Sequence, residues 1–266
     1  MNSRQLLQWY QDAGVDEATD DRVVDHFGIQ DSGFGIQEEK KLAALPLNPE
    51  SRIPNPALHH SPSAAMAAAR TLADNANTLE ELEAAVRAFD GCAIKKTASK
   101  TVFCDGNPKA RVMIIGEAPG AQEDIQGIPF CGPSGQLLDR MLLAIGLTRE
   151  SVYISNTVFW RPPGNRQPTP EETSTCLPFV EKHIALVAPA LLILSGGTAT
   201  TTLLQRDTSI SKLRGTFYDY TNPYLQTPIK TLVTYHPSYL LRTPSQKRLA
   251  WEDLLTVKGF LEKISA

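Results

Sequence analysis

Val112–Phe130 reads VMIIGEAPGAQEDIQGIPF, and the way this stretch begins and stops decides the fold. Four apolar residues, Val112 to Ile115, make a short buried strand that ends abruptly at Gly116. Gly116-Glu117-Ala118-Pro119-Gly120 then sets a carboxylate on a tight loop that exposes its backbone. In an open parallel sheet, ligands bind there, outside the carboxyl ends of the strands. Phe130 follows Pro129, an aromatic ring on a constrained segment. Carboxylate, open amides and a flat apolar ring suit a planar polar ligand such as a nucleobase.

Beyond this stretch strands and helices alternate. A helix is expected at Ser134–Ile145, with Leu137, Leu138, Met141 and Leu142 at helical spacing, and a strand at Ser151–Val158. Thr169 as N-cap and Pro170 at the first helical position open a helix that runs to Val187. Ala190–Ser195 is a strand, Gly197–Leu204 a short helix, Thr231–Tyr235 a strand and Ser245–Lys263 a closing helix. Four short apolar strands separated by helices imply a three-layer α/β/α fold around a central four-stranded parallel sheet.

The N-terminal part has a different composition. Ser3–Ala13 reads as a short helix, Asp16–Asp25 is acid-rich, Gly28–Gly35 is Gly-rich, and five prolines lie between Pro46 and Pro62. An Ala-rich helix from Ser63 to about Ala76 follows, and Thr78 with Glu81 makes a capping box for the next helix. Residues 1–76 are therefore expected to be a helical and irregular extension with a Pro-rich linker, and 77–266 the functional domain.

The net charge of −3 offers no bulk attraction for nucleic acid, so any such contact needs local basic clusters. No apolar run approaches the ~20 residues that cross a bilayer, and the start lacks the layout of a signal peptide. A cytoplasmic protein is expected. The cysteines Cys92, Cys104, Cys131 and Cys176 contain no C-x-x-C pair, so local spacing announces no zinc or cluster site.

Three strand ends carry chemistry. Glu117 follows the first, Asn156 lies at the end of the second in VYISNTVFWRPPGNR, and His236 follows the fourth in TYHPSYLLR. An Asn amide sets a donor beside an acceptor and can read a carbonyl and the adjacent N–H of a base edge. A His at the opposite edge can donate to a second carbonyl, and Phe130 can stack on the face. Each residue alone has an ordinary structural use, as turn former, corner or loop cap. Their occurrence together and in order makes the case, and together they suit uracil.

These segments resemble the uracil-DNA glycosylase superfamily, and most of all its family 4 members, bacterial and archaeal enzymes of the iron–sulfur type. The resemblance rests on GEAPG followed by ED and IPFCGPSGQLLDRML, on VYISNTVFWRPPGNRQPTPEE and on YHPSYLLR, and extends from about Cys92 to the C-terminus. It implies hydrolytic excision of uracil that has been flipped out of DNA, leaving an abasic site. By the same resemblance Ala118, Phe130, Asn156 and His236 hold the uracil, and His236 stabilises the charge that develops on it. Glu117 or Glu123 places the attacking water, or the leaving uracil anion carries most of the burden. Better-known uracil glycosylases have an Asp where this chain has Ala118. The HPSYLLR loop is the expected wedge, with Ser238, Tyr239 and Leu240 at the gap in the stack and Arg242 on a phosphate. Backbone amides of Gly132, Ser134 and Gly135 at a helix start, with Arg161, Arg166 and Arg214, are further candidates for phosphate contact. Action on hypoxanthine or xanthine, or a catalytically weak damage-binding module, are the alternatives. A monomer is expected, with a repair or replication partner for the N-terminal extension.

The chain departs from the family at the cluster. The usual first cysteine pair reads Cys92-Ala93-Ile94-Lys95 here, and Trp160 precedes Arg161-Pro162-Pro163. Only Cys92 and Cys176 of four ligand positions remain. No iron–sulfur cluster, no metal and no other cofactor are therefore expected. Cys92 and Cys176 should lie close together, with Trp160 and the Lys95 stem filling the vacated volume.

Overall fold

The computed structural model describes residues 62–265. The expected Ser3–Ala13 helix, the acidic and Gly-rich stretches and most of the Pro-rich linker lie outside the described residues. Helices α1 (Pro62–Asn75) and α2 (Leu79–Ala88) come first, then strands β1 (Asp105–Gly106) and β2 (Val112–Gly116). Next are α3 (Ala121–Gln126), α4 (Pro133–Leu143), β3 (Tyr153–Asn156), α5 (Pro170–Val187), β4 (Leu191–Ser195) and α6 (Gly197–Leu204). The chain finishes with α7 (Ile210–Leu213), β5 (Phe217–Tyr220), β6 (Ile229–Thr234), α8 (Pro237–Arg242) and α9 (Lys247–Ser265).

The sheet runs in the order β1-β3-β2-β4-β6-β5. Its middle four strands are parallel, as expected, and β1 and β5 add antiparallel edges. Parallel strands are covered on both faces, which is why VMIIG and the first four residues of LLILS are apolar instead of alternating, and every residue in both strands is buried. The two-residue pleat sorts their side chains into two cores. Met113, Ile115, Leu192, Leu194 and Val233 face the side of α2, α5 and α6, where Phe89, Phe103 and Phe179 pack. Val112, Ile114, Leu191, Ile193 and Leu232 face the side of α4 and α9, against Leu137, Met141, Trp251 and Leu254.

Helix α5 opens on the capping box that Thr169 and Glu172 announce: the Thr169 hydroxyl accepts the Glu172 N–H at 3.2 Å, and Glu172 accepts the Thr169 N–H at 2.8 Å. Helix α1 lies on α5 through buried Ala65, Ala69 and Ala73, small side chains at helical spacing that let the two axes approach, and Arg70 pairs with Glu181 at 2.6 Å. Among the described residues no helix is long and apolar enough to cross a membrane.

Register aligns the carboxyl ends of the parallel strands. Gly116 sits opposite Asn156, and Ser195 opposite Thr234. The loops that leave these ends face one cleft.

Candidate active site

The cleft has a volume of about 990 Å³ and is lined by Glu117, Ala118, Phe130, Asn156, His236 and Tyr239, among others. At its floor β2 gives way to the loop at Gly116. A methyl group there would lie 2.5 Å from Asn156 Oδ1 and 2.5 Å from the Phe130 ring, so only glycine lets the three groups meet. Asn156 is buried, and its Oδ1 has no hydrogen-bond partner among the described residues. A buried acceptor without a partner is rare in folded proteins and asks for a donor from elsewhere.

Phe130 adopts φ +51°, a left-handed backbone that costs a non-glycine residue roughly 1–2 kcal/mol. Three contacts hold it there. Arg149 donates from Nη1 to the Phe130 carbonyl at 3.0 Å and from Nη2 to the Pro129 carbonyl, while its own fork is oriented by Asp105 at 2.5 Å and Asp139 at 3.1 Å. Gly135 of α4 passes so close beneath that a methyl would fall 1.6 Å from the Phe130 carbonyl oxygen. Glu123, nearly buried, ties the two ends of the loop. Its Oε2 accepts the Gly120 N–H at 3.1 Å, and its Oε1 accepts those of Cys131 at 3.1 Å and Gly132 at 2.9 Å.

His236 caps α8, its Nδ1 accepting the Ser238 N–H at 3.1 Å with the Ser238 hydroxyl 2.8 Å away. Burial, helped by the nearby Arg242 charge, pushes the ring down to about 4, so it is neutral near pH 7. A neutral imidazole whose Nδ1 accepts carries its proton on Nε2. The ring lies 5.3 Å from that of Phe130, 29° from parallel.

Glu117 lies half-buried at the cleft wall. Its Oε2 accepts the Thr198 hydroxyl at 2.5 Å, and its backbone carbonyl accepts the Thr157 hydroxyl at 2.6 Å.

Several expected contacts fall elsewhere. Leu240 is fully buried in the core beneath α8, because a helix that starts at Pro237 turns residues 237 and 240 inward; Leu241 is the one that is exposed, at 40%. Leu240 is therefore no wedge. The N–H groups of Gly132 and Gly135 are spent on Glu123 and on the Gly132 carbonyl, which leaves Ser134 alone of those three on the cleft wall. Both oxygens of Glu123 are engaged by amides, which makes it a loop tie and not a water-placing group. Arg214 forks onto buried Asp253 at 2.6 and 3.1 Å and is half-enclosed by Tyr235, so it is no phosphate contact. Arg166 reaches the cleft but is paired bidentately with Glu172, Arg161 lies outside the lining and donates to the cleft residue Asn165 at 2.7 Å, and Arg242 is exposed at the rim. Arg149 and Thr198 escaped the sequence reading, since each acts on a residue far away in the chain.

Residues 103–255 match the family model of the uracil DNA glycosylase superfamily. A type-4 uracil-DNA glycosylase of Thermotoga maritima is 36% identical over 188 residues, 70% of this chain and 95% of that protein. One from Saccharolobus solfataricus is 40% identical over 183 residues, 66% of this chain and 83% of that protein. One from Archaeoglobus fulgidus is 34% identical over 171 residues, 63% and 85% of the two chains.

The relatives also correct the expectation of no cofactor. They are type-4 enzymes, the iron–sulfur type, and they point to a cluster where the sequence reading expected none. Cys92 and Cys176, both buried with Sγ atoms 4.0 Å apart, are the residues of this chain that would hold such a group. At the other two positions Lys95 Nζ bonds the carbonyls of Arg87 and Phe89 and the Asp90 carboxylate, and Trp160 Nε1 bonds Thr101. Two thiols fall short of the four thiolates of an all-cysteine cluster. Hydrolysis of a glycosidic bond involves no net electron transfer. By its motifs, the cleft they build and the match over residues 103–255, the chain belongs to the uracil DNA glycosylase superfamily.

Proposed function

We propose that this chain is a DNA repair enzyme that hydrolyses the N-glycosidic bond of deoxyuridine in DNA, releasing uracil and leaving an abasic site. The superfamily match and the relatives that bear the name uracil-DNA glycosylase support this. At the level of atoms, the unpartnered Oδ1 of Asn156 carries the reading. An amide oxygen beside an amide N–H₂ complements the N3–H and O4 of uracil, whereas cytosine has an amino group at that position and no N3–H. A buried acceptor without a partner costs about 1–3 kcal/mol, which a bound uracil relieves and a bound cytosine does not.

In this reading the uracil is rotated out of the stack and rests on Phe130. His236 donates from Nε2 to the carbonyl between the ring nitrogens. As the bond to the sugar lengthens, negative charge gathers on the base, and a neutral donor already in place stabilises it without reorganisation. Glu117 holds the attacking water through its second carboxylate oxygen, with Ala118 beside it leaving room. Ser134, Tyr239 and Arg242 meet the DNA at the rim, and Leu241 enters the gap in the stack. We expect the chain to act as a monomer. We expect it to act in the cytoplasm, with residues 77–266 as the catalytic domain, α1 packed against its α5, and the N-terminal extension recruiting a repair or replication partner.

The test is excision from labelled oligonucleotides carrying uracil, hypoxanthine, xanthine or a thymine mismatch, followed by alkaline cleavage. Wild type should cleave the uracil strand, and Asn156→Ala should slow it by on the order of 10²-fold or more while melting no lower than wild type. Uracil excision by Asn156→Ala at the wild-type rate would remove the residue from base recognition.

A further inference from the structure

The turn between β4 and α6 holds none of the residues to which the sequence pointed, yet it touches both groups that handle charge in the cleft. Gly196, at φ +102°, donates its N–H to the Thr234 carbonyl at 2.9 Å and lies so close to His236 that a methyl there would sit 3.1 Å from the His236 Cβ. Its carbonyl accepts the Thr200 hydroxyl at 2.8 Å, which anchors the turn to the first coil of α6. Two residues on, Thr198 Oγ1 donates to Glu117 Oε2 at 2.5 Å. A hydrogen bond donated to a carboxylate is stronger than one between neutral groups. The remaining Glu117 oxygen has no partner among the described residues, and Glu117 lines the cleft.

The terminal torsion of a glutamate is broad and soft, so an untethered carboxylate presents its oxygens over a wide range of directions. We propose that Thr198 is the positioning residue for Glu117, its hydroxyl fixing one carboxylate oxygen so that the other holds the attacking water against the sugar. In the step it serves, the water oxygen bonds to the sugar C1′, its proton passes to the free Glu117 oxygen, and the electron pair of the C1′–N1 bond leaves with the uracil. This rests on the water-placing role of Glu117 given above. A reacting atom misplaced by about 1 Å can cost on the order of 10² in rate, which sets the scale of what the tether protects.

Single-turnover excision of uracil from a single-stranded oligonucleotide, measured against enzyme concentration, tests the assignment. Thr198→Val removes the hydroxyl and keeps the shape. Its maximal rate should fall by about 10- to 100-fold with the half-saturating concentration unchanged. Thr198→Ser should restore the rate, and Glu117→Gln with Thr198→Val should be no slower than Glu117→Gln alone, because the two act through one group. Thermal melts establish folding, and Thr198→Ala, with the same expected loss, serves if the valine variant fails to fold. A wild-type rate in Thr198→Val, a loss confined to half-saturation, or a further slowing of Glu117→Gln would overturn the role of Thr198 while leaving that of Glu117. Wild-type excision by Glu117→Gln would overturn both.

Discussion

Replacing Glu123 by glutamine keeps the shape of the side chain while removing its charge and one acceptor. In the folded protein the carboxylate serves the N–H groups of Gly120 on one side and of Cys131 and Gly132 on the other. A glutamine can turn its oxygen to one side only. Facing Cys131 and Gly132, it sets its own N–H₂ against the Gly120 N–H; facing Gly120, it strands two donors. Hydrogen bonds to a charged group contribute about 1.5–3 kcal/mol each, and losing one while weakening two comes to roughly 2–4 kcal/mol. In a domain of this size about 1 kcal/mol shifts the melting temperature by about 2–4 °C, so the variant should melt about 5–15 °C lower. Thermal unfolding followed by circular dichroism at pH 7 measures this. Glu123→Asp, one methylene short of spanning the loop, should fall at least as far. A glutamine variant that melts within about 2 °C of wild type would refute the reasoning, since the loop would then hold together without its tie.

Two further outcomes follow from the same geometry. The His236 ring titrates at about 4 in the folded protein, against about 6.5 in an unfolded chain. Its contribution to stability is therefore complete above pH about 6.5 and is lost as the pH falls through about 4. The urea midpoint of wild type should decline across that window more steeply than that of His236→Asn; identical slopes would show that the ring is not held neutral. Leu240→Ala should cost about 2–5 kcal/mol as a core truncation. Leu241→Ala should melt like wild type and slow excision from duplex more than from single strands, and the opposite pattern would reverse the assignment of the two leucines.

Much of the fold was legible because parallel strands buried on both faces must be apolar, and VMIIG and LLILS carry that constraint openly. The edges were not: β1 is two residues long, and β5 is Phe217-Tyr218-Asp219-Tyr220, half-exposed and aromatic, which local composition does not separate from a loop. Glu117, Phe130, Asn156 and His236 could be gathered because they sit at strand ends, where topology brings distant segments to one cleft. Arg149 and Thr198 could not, since an arginine before a strand and a threonine in a helix look ordinary until their partners, 10 to 81 residues away, are known. Leu240 and Leu241 differ only in helical phase, which is set by where α8 begins. Arg214 shows the same limit, a cation whose local sequence says nothing of the buried Asp253 that claims it.

The platform beneath the base has one more consequence. Phe130 is braced by the Arg149 fork, by the bare backbone of Gly135 and by the loop ends drawn together at Glu123. The conformational entropy of that loop is surrendered when the protein folds, before any substrate arrives. An arriving base then meets a seat whose shape is already set, so association carries little ordering cost on the protein's side. Discrimination under those conditions comes from what a rigid seat rejects, and a scan along DNA can be quick because a misfit is released without a loop having to reopen.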